Sequence, residues 1–197
     1  SRDLDLDALD AYLAFSCIPA PLTIFRDARK LPAGHVLTWE GNAGTDAVRI
    51  ERFAAPLPAT RSAMRNQSED DLVEEIRERI ADSVKAHLIA DVPVGVLLSG
   101  GVDSSALAAM ASEHGASRVS TFTIGFNEAG FDERERARAV ANRYGTDHHE
   151  MVLEPNALDL LPKMAEIFDE PFADSSAIPT YLVSQLAREH VKVALSG

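Results

Sequence analysis

Residues 99–105, Ser-Gly-Gly-Val-Asp-Ser-Ser, gather two glycines, three hydroxyls and one carboxylate into a single short stretch. That set of groups suits the holding of a phosphate. Gly100 and Gly101 let the main chain approach a ligand closely and take positive φ where a turn needs it. Ser99, Ser104 and Ser105 add hydroxyl donors. Asp103 has two readings: it caps a following helix, or it holds a magnesium ion through water. A glycine pair alone is satisfied by any tight turn between strand and helix, but the full Ser-Gly-Gly-x-Asp-Ser string is more specific. It is not a Walker loop, since no Lys-Ser/Thr pair follows the last glycine, and Gly-x-Gly-x-x-Gly is absent from the turn.

The elements that must position this loop are legible on both sides. Val94-Gly95-Val96-Leu97-Leu98 reads as a short apolar strand, and Ala106-Leu107-Ala108-Ala109-Met110-Ala111 as a helix. Strand, glycine turn and helix in that order leave backbone N–H groups pointing at an anion from a helix start. Upstream, 68–90 predicts a long helix with Ser68 as N-cap and Asp71 as the Asp variant of a capping box. Its Leu72, Ile76, Ile80, Val84 and Leu88 should face the core, with the intervening Glu and Arg residues solvated. Downstream, 96–98 predicts a central strand, 103–114 a helix, 120–126 a strand and 132–144 a charged helix with Asp132 as cap and Glu135 closing a capping box. A strand over 149–153, helices over 156–168 and 176–190, and a strand over 191–195 complete the alternation. The fold class is therefore α/β: a parallel twisted sheet with helices on both faces, Rossmann-like, joined by right-handed crossovers.

Before this region the character differs. Residues 7–15 have the spacing of a short amphipathic helix; Pro19, Pro21 and Pro32 impose extended or turned chain. His35–Glu40 and Val48–Phe53 read as a β-hairpin across a Gly41-Asn42-Ala43-Gly44 turn. Residues 56–67, with Pro56 and Pro58, read as a linker. Three domains of organisation follow: 1–55, 56–67 and 68–197.

Ligands of open α/β sheets collect at the carboxyl ends of strands. Three such ends carry small residues, Ser99-Gly100, Gly125 and Ser196-Gly197, which favours one shared crevice over three unrelated turns. His148-His149-Glu150 invites a metal reading, but adjacent residues of a strand face opposite ways and cannot readily chelate one ion, so a structural role at the sheet edge is preferred. Phe131-Asp132-Glu133 could bear on a substrate, although capping accounts for Asp132. The loop 169–177 opens a helix, where ordinary capping by Ser175 or Ser176 competes with carboxylate or phosphate binding; Asp174, Ser175 and Ser176 are carried as candidates for binding a substrate.

Composition restricts the class. The net charge of −12 over 197 residues argues against nucleic acid or an anionic membrane as the main partner. An anionic ligand then depends on local donors and metal. Cys17 is the only cysteine, so no internal disulfide and no cysteine-based metal cluster can form; it is read as a small buried apolar residue. No apolar run reaches membrane length and no signal peptide is evident, which suggests a cytoplasmic protein.

The loop at 99–105 closely resembles the pyrophosphate-binding loop (PP-loop) of the ATP pyrophosphatase, or adenine nucleotide alpha hydrolase-like, superfamily. Asp91–Leu98, Phe122-Thr123-Ile124-Gly125-Phe126, Gly145-Thr146-Asp147-His148-His149-Glu150 and Ala194-Leu195-Ser196-Gly197 are similar, in order, to glutamine-dependent asparagine synthetases. The likeness covers 68–197, and 1–55 is more faintly similar to the tail of the glutaminase domain of those enzymes. The resemblance implies an ATP site in which Leu97, Leu98 and Ile124 contact adenosine and Ser196 and Gly197 approach the nucleotide. Gly125 would let the chain pass close by. Ser99, Gly100, Gly101, Asp103, Ser104 and Ser105 would hold the departing pyrophosphate, with Asp103 as the tentative ligand of Mg²⁺. It further implies aspartate as substrate and ammonia from glutamine as nitrogen donor, with a homodimer among the allowed assemblies. The glutaminase nucleophile, an N-terminal cysteine in that family, is expected upstream of Ser1. Catalytic acidic residues and a lysine are expected downstream of Gly197, so this stretch alone should not complete the reaction. Two other readings stay open: a related amidotransferase or β-lactam-synthetase-like ligase acting on another carboxylate, and a non-catalytic nucleotide-binding module, against which the intact Asp103 and Ser104 speak.

Overall fold

The computed structural model describes residues 3–41, 48–54, 68–127, 130, 132–153 and 159–197. The chain divides into two compact units, Ser1–Arg65 with Pro162–Ser175, and Asn66–Leu161 with Ser176–Gly197. Pro162–Ser175 thus groups with the N-terminal residues.

In the first unit, α1 (Leu6–Phe15) is capped by Asp5, whose carboxylate accepts from the N–H of Asp7 and Ala8, and ends at Ser16 in the left-handed region. Ala8, Ile18 and Ile24 form its small core. Ile18 takes the buried position there, and Cys17 is exposed, correcting the expectation that it would be interior. β1 (His35–Trp39) and β2 (Val48–Arg52) pair antiparallel, from His35 opposite Arg52 to Trp39 opposite Val48. The turn expected between them lies, from Asn42 on, outside the described residues, as does the linker at 56–67. A helix expected over 156–168 is α5 (Leu161–Ile167); its first expected residues are not described.

The second unit carries the site. α2 (Glu69–His87) begins with the expected capping box: Ser68 Oγ accepts from Asp71 N at 3.2 Å and Asp71 accepts from Ser68 N at 3.1 Å. It stops three residues before the expected end. Val84 is buried and Leu72, Ile80 and Leu88 are half-buried, whereas Ile76 is exposed. The buried stripe is carried by the C-terminal half of α2, where Ala81 and Val84 lie against the core.

β3 (Val94–Leu97), β4 (Ser120–Gly125), β5 (Asp147–Val152) and β6 (Val193–Leu195) form a parallel sheet in the order β5-β4-β3-β6. α3 (Val102–His114) and α4 (Arg134–Tyr144) join α2 on one face, and α6 (Ala177–His190) covers the other. Alternation along β3 and β4 divides the core accordingly. Val96, Leu98, Ala108, Ala111, Ala137 and Ala141 pack on the first face, and Phe122, Leu186, Ala187 and Val191 on the second. Alanines where α3 and α4 meet the sheet let the helices lie close to it. The α/β class, with helices on both faces of a parallel sheet, is as expected.

Candidate functional site

Because β3 lies between β4 and β6, the three strand ends with small residues stand side by side. Leu98 N donates to Phe122 O at 2.8 Å and Thr123 Oγ1 donates to Leu98 O, so the sheet grips the chain up to the last residue before the loop. The chain then turns at Gly100, whose φ is +77°. A Cβ at that position would lie 2.7 Å from both Ala137 N and Arg136 Cβ. Both the backbone conformation and the wall formed by α4 therefore demand glycine.

Ser104, only 6% exposed, ties the loop together. Its hydroxyl donates to Gly101 O at 3.3 Å, accepts from Ser99 N at 3.3 Å and lies 2.9 Å from Ser99 Oγ. Since that proton is committed to Gly101 O, Ser99 is the donor of the pair. Ser99 Oγ in turn accepts from Gly101 N at 3.3 Å. Two of the three hydroxyls expected to hold a ligand, those of Ser99 and Ser104, thus brace the loop.

What faces outward is main chain. Gly101 is the N-cap of α3 and no side chain caps that helix. Gly101 O receives Ser105 N at 3.0 Å, so the N–H groups of Val102, Asp103 and Ser104 precede the helical ladder. They form the positive end of the helix dipole, where an anion is stabilised. Asp103 sits one residue inside the helix and does not cap it. Its backbone is already helical, so it cannot adopt the extended conformation from which an N-cap side chain reaches forward. Its exposed carboxylate remains available for a cation.

A cleft of about 390 Å³ opens beside this loop. Of the residues expected in the site, Leu97, Leu98, Ser99, Ser104, Ile124, Ser176, Ser196 and Gly197 line it. Gly100, Gly101, Asp103 and Ser105 belong to the adjoining loop and first turn of α3 without lining it. Gly197 backs onto that turn, with a Cβ there falling 2.9 Å from the Asp103 carbonyl carbon. Gly125 also stays out of the lining, because the side chain of Arg134 lies directly over it. Asp174 and Ser175 fall in the other unit. Glu133, from the segment that could bear on a substrate, also lines it; Phe122, Thr123, Pro179, Thr180 and Val183 complete the lining and were not anticipated. Helical spacing from Ser176 through Pro179 and Thr180 to Val183 was the available signal for three of them.

The start of α4 also departs from expectation. Asp132 does not cap the helix; Glu133 is the N-cap residue and no side-chain cap bond forms, so the capping box through Glu135 is absent. Asp132 instead takes Arg134 in a two-pronged ion pair, with Arg134 Nε 2.8 Å from Oδ1 and Nη2 2.7 Å from Oδ2. The hydrogen bonds from Arg134 hold the Asp132 carboxyl down to about 2. Farther along α4, Arg138 donates to Glu150 on β5 at 3.1 and 2.7 Å, which holds that carboxyl below its ordinary range. Glu150 Oε1 lies 3.2 Å from His148 Nε2. His148 Nδ1 bonds Thr121 Oγ1 at 2.9 Å, and Thr121 meets Thr146 at 2.8 Å. Burial pushes the His148 imidazole down. His149 faces the other way, in a cluster of three rings with Phe122 at 5.3 Å and His190 at 3.8 Å, which are themselves 5.7 Å apart. The two histidines therefore serve opposite faces, as the strand register requires.

A family model described as Asparagine synthase matches residues 75–197. The chain belongs to the asparagine synthase family. It is 37% identical over 196 residues to asparagine synthetase [glutamine-hydrolyzing] 1 of Bacillus subtilis, a match covering 99% of this chain and 30% of that protein. A putative asparagine synthetase [glutamine-hydrolyzing] 2 of Methanocaldococcus jannaschii is 35% identical over 199 residues, covering all of this chain and 37% of that one. Amidase chyE of Penicillium rubens is 32% identical over 150 residues, 69% of this chain and 22% of its own length. The chain thus spans about a third of the length of the first two relatives. Among the described residues, no helix is long and apolar enough to cross a membrane.

Proposed function

We propose that this chain carries the ATP site of a glutamine-dependent carbon–nitrogen ligase that makes asparagine, with 68–197 as part of the synthetase domain and 1–55 as the end of the glutaminase domain. In that reaction a side-chain carboxylate oxygen of aspartate attacks the α-phosphorus of ATP. The bond from that phosphorus to the bridging oxygen breaks, giving an acyl-adenylate and pyrophosphate. Ammonia released from glutamine then attacks the acyl carbon, and AMP leaves with the carbon–oxygen bond electrons.

One observation carries the reading: the uncapped amides of Val102, Asp103 and Ser104 stand beside a cleft that combines apolar and hydroxyl side chains. Donors fixed before reaction can stabilise charge on a leaving pyrophosphate by roughly a few kcal/mol each. The loop bracing by Ser104 and the glycine at 100 hold these donors in place at no cost during the step. Mg²⁺ fits here, since it takes one or two carboxylates beside phosphate and water, and Asp103 offers an exposed carboxylate at the first turn of α3. When bound, it would neutralise charge on the phosphates. Among the described residues, the cleft lining contains no Lys, Arg or His. A ligase acting on another carboxylate would use the same cleft.

The test is ATP–pyrophosphate exchange by the full-length protein, with aspartate and a panel of other carboxylic acids. Aspartate-dependent exchange is the expected result. Exchange driven by a different acid would transfer the assignment to the second reading, and absence of any ATP binding would end both.

A further inference from the structure

Among the described residues, Glu133 is the one charged residue in the lining of the cleft, alongside Thr123, Ile124 and Ser99. It is half-buried, yet among the described residues its carboxylate has neither a hydrogen bond nor an ion pair. The neighbouring cation is already taken, because Arg134 is committed to Asp132 through both carboxylate oxygens. Glu133 also makes no capping bond to the start of its own helix. A half-buried carboxylate is stabilised by donors that a ligand brings, and among the described residues none is supplied to either of its oxygens.

Resting on the nucleotide reading above, we propose that Glu133 accepts hydrogen bonds from the uncharged half of the nucleotide and so fixes which way round it enters. A carboxylate repels phosphate and attracts neutral donors; the amides of Val102–Ser104 do the reverse. Two donors of a nucleoside have the required chemistry: the ribose diol, which can meet both oxygens of one carboxylate, and the 6-amino group of adenine. A metal-ligand role for Glu133 is the competing reading, and the magnesium dependence of nucleotide binding separates the two.

Titrations of the full chain with ATP, 2′-deoxy-ATP, 3′-deoxy-ATP and inosine triphosphate test this, each repeated on Glu133→Ala and Glu133→Gln. For the unaltered protein, the analogue lacking the contacted donor should bind about tenfold or more weakly than ATP, as befits a hydrogen bond to a charged group. In Glu133→Ala, ATP should weaken by a similar factor and that analogue should lose nothing further; Glu133→Gln should fall between. Which analogue shows this coupling identifies the donor. The proposal is overturned if both variants weaken ATP and every analogue equally, if neither changes any affinity, or if the loss appears only in the presence of magnesium. Failure of the unaltered chain to bind ATP would instead strike the nucleotide reading itself.

Discussion

The starts of α2 and α3 are built from the same kinds of residue and put them to opposite uses. At α2, Ser68 and Asp71 serve each other's backbone N–H, and the Ser68 hydroxyl donates to Asp71 at 2.7 Å. That helix end is closed. At α3, Ser99, Asp103, Ser104 and Ser105 surround the first turn, yet none caps it. Ser99 and Ser104 turn their hydroxyls into the loop. Forgoing a polar cap in favour of Gly101 costs only a few tenths of a kcal/mol. In exchange, three amides stay open beside a cleft. A capping-type residue marks a helix start, but the destination of its hydroxyl decides whether that start is structural or available to a ligand.

The largest effect should come from removing the backbone that holds the α3 end open. Gly100→Ala places a methyl 2.7 Å from Ala137 N in a left-handed conformation. Either the loop shifts or α4 moves, and both displace the amides. ATP affinity should fall on the order of 100-fold, because several fixed donors are lost together, while circular dichroism shows the helices retained. Near-normal ATP binding by this variant would erase the distinction drawn between the two helix ends.

An intermediate effect comes from exchanging their roles. Gly101 has φ −72° and ψ 168°, the conformation of an N-cap residue, and a Cβ there meets only Ser99 Oγ at 3.3 Å. Gly101→Asp should therefore close the α3 end with its own carboxylate. Stability should rise by a few tenths of a kcal/mol, and ATP affinity should drop about tenfold as a charge-assisted contact is pre-empted. Ser68→Ala does the converse, lowering stability by about 1 kcal/mol in urea unfolding with ATP binding unchanged. If Gly101→Asp bound ATP as well as the unaltered chain, the amides would not be the anion site.

Much of this was legible in the residues, for a definite reason. The apolar run before Ser99 and the alanine-rich run after it have unlike periods, and glycines sit between them, so strand, turn and helix were readable locally. The capping box of α2 was readable for the same reason, since both partners lie within four residues. What local reading missed is which of several partners a side chain takes, and what packs against it from elsewhere in the chain. Asp132 looked like a cap until Arg134, two residues on, was seen to claim both its oxygens. Glu133 was legible only as part of a segment that could bear on a substrate, because capping by its neighbour offered the simpler account. Ile76 continued a helical stripe, but only the C-terminal half of α2 carries buried residues. Nothing in the spacing could show that Gly100 rests against α4, because Ala137 and Gly100 are joined by packing alone.

The smallest effect concerns the polar chain that fastens α4, the wall behind Gly100, to the sheet. His148 lies between Thr121 and Glu150, with Arg138 on the far side of that carboxylate. Burial is the main influence on the imidazole and lowers its pKa from 6.5; the Glu150 charge opposes this and does not overcome it. The folded chain therefore favours the neutral ring. As pH falls through 6.5 the unfolded chain takes up this proton first, and stability declines until the lowered folded value is reached. His148→Gln keeps a polar group beside Thr121 and removes the titration. Urea unfolding between pH 7.5 and 5.5 should show a shallower loss for this variant than for the unaltered chain. Glu150 and Asp132 have depressed values, so their contributions fade only below the ordinary carboxylate range, at 4.5 and 3.8, and leave this window clear. Because α4 touches the loop at Gly100 and the α2 start has no part in the chain, the α3 end alone should feel the change: ATP affinity should soften over the same pH interval, and the consequence of Ser68→Ala should stay constant across it.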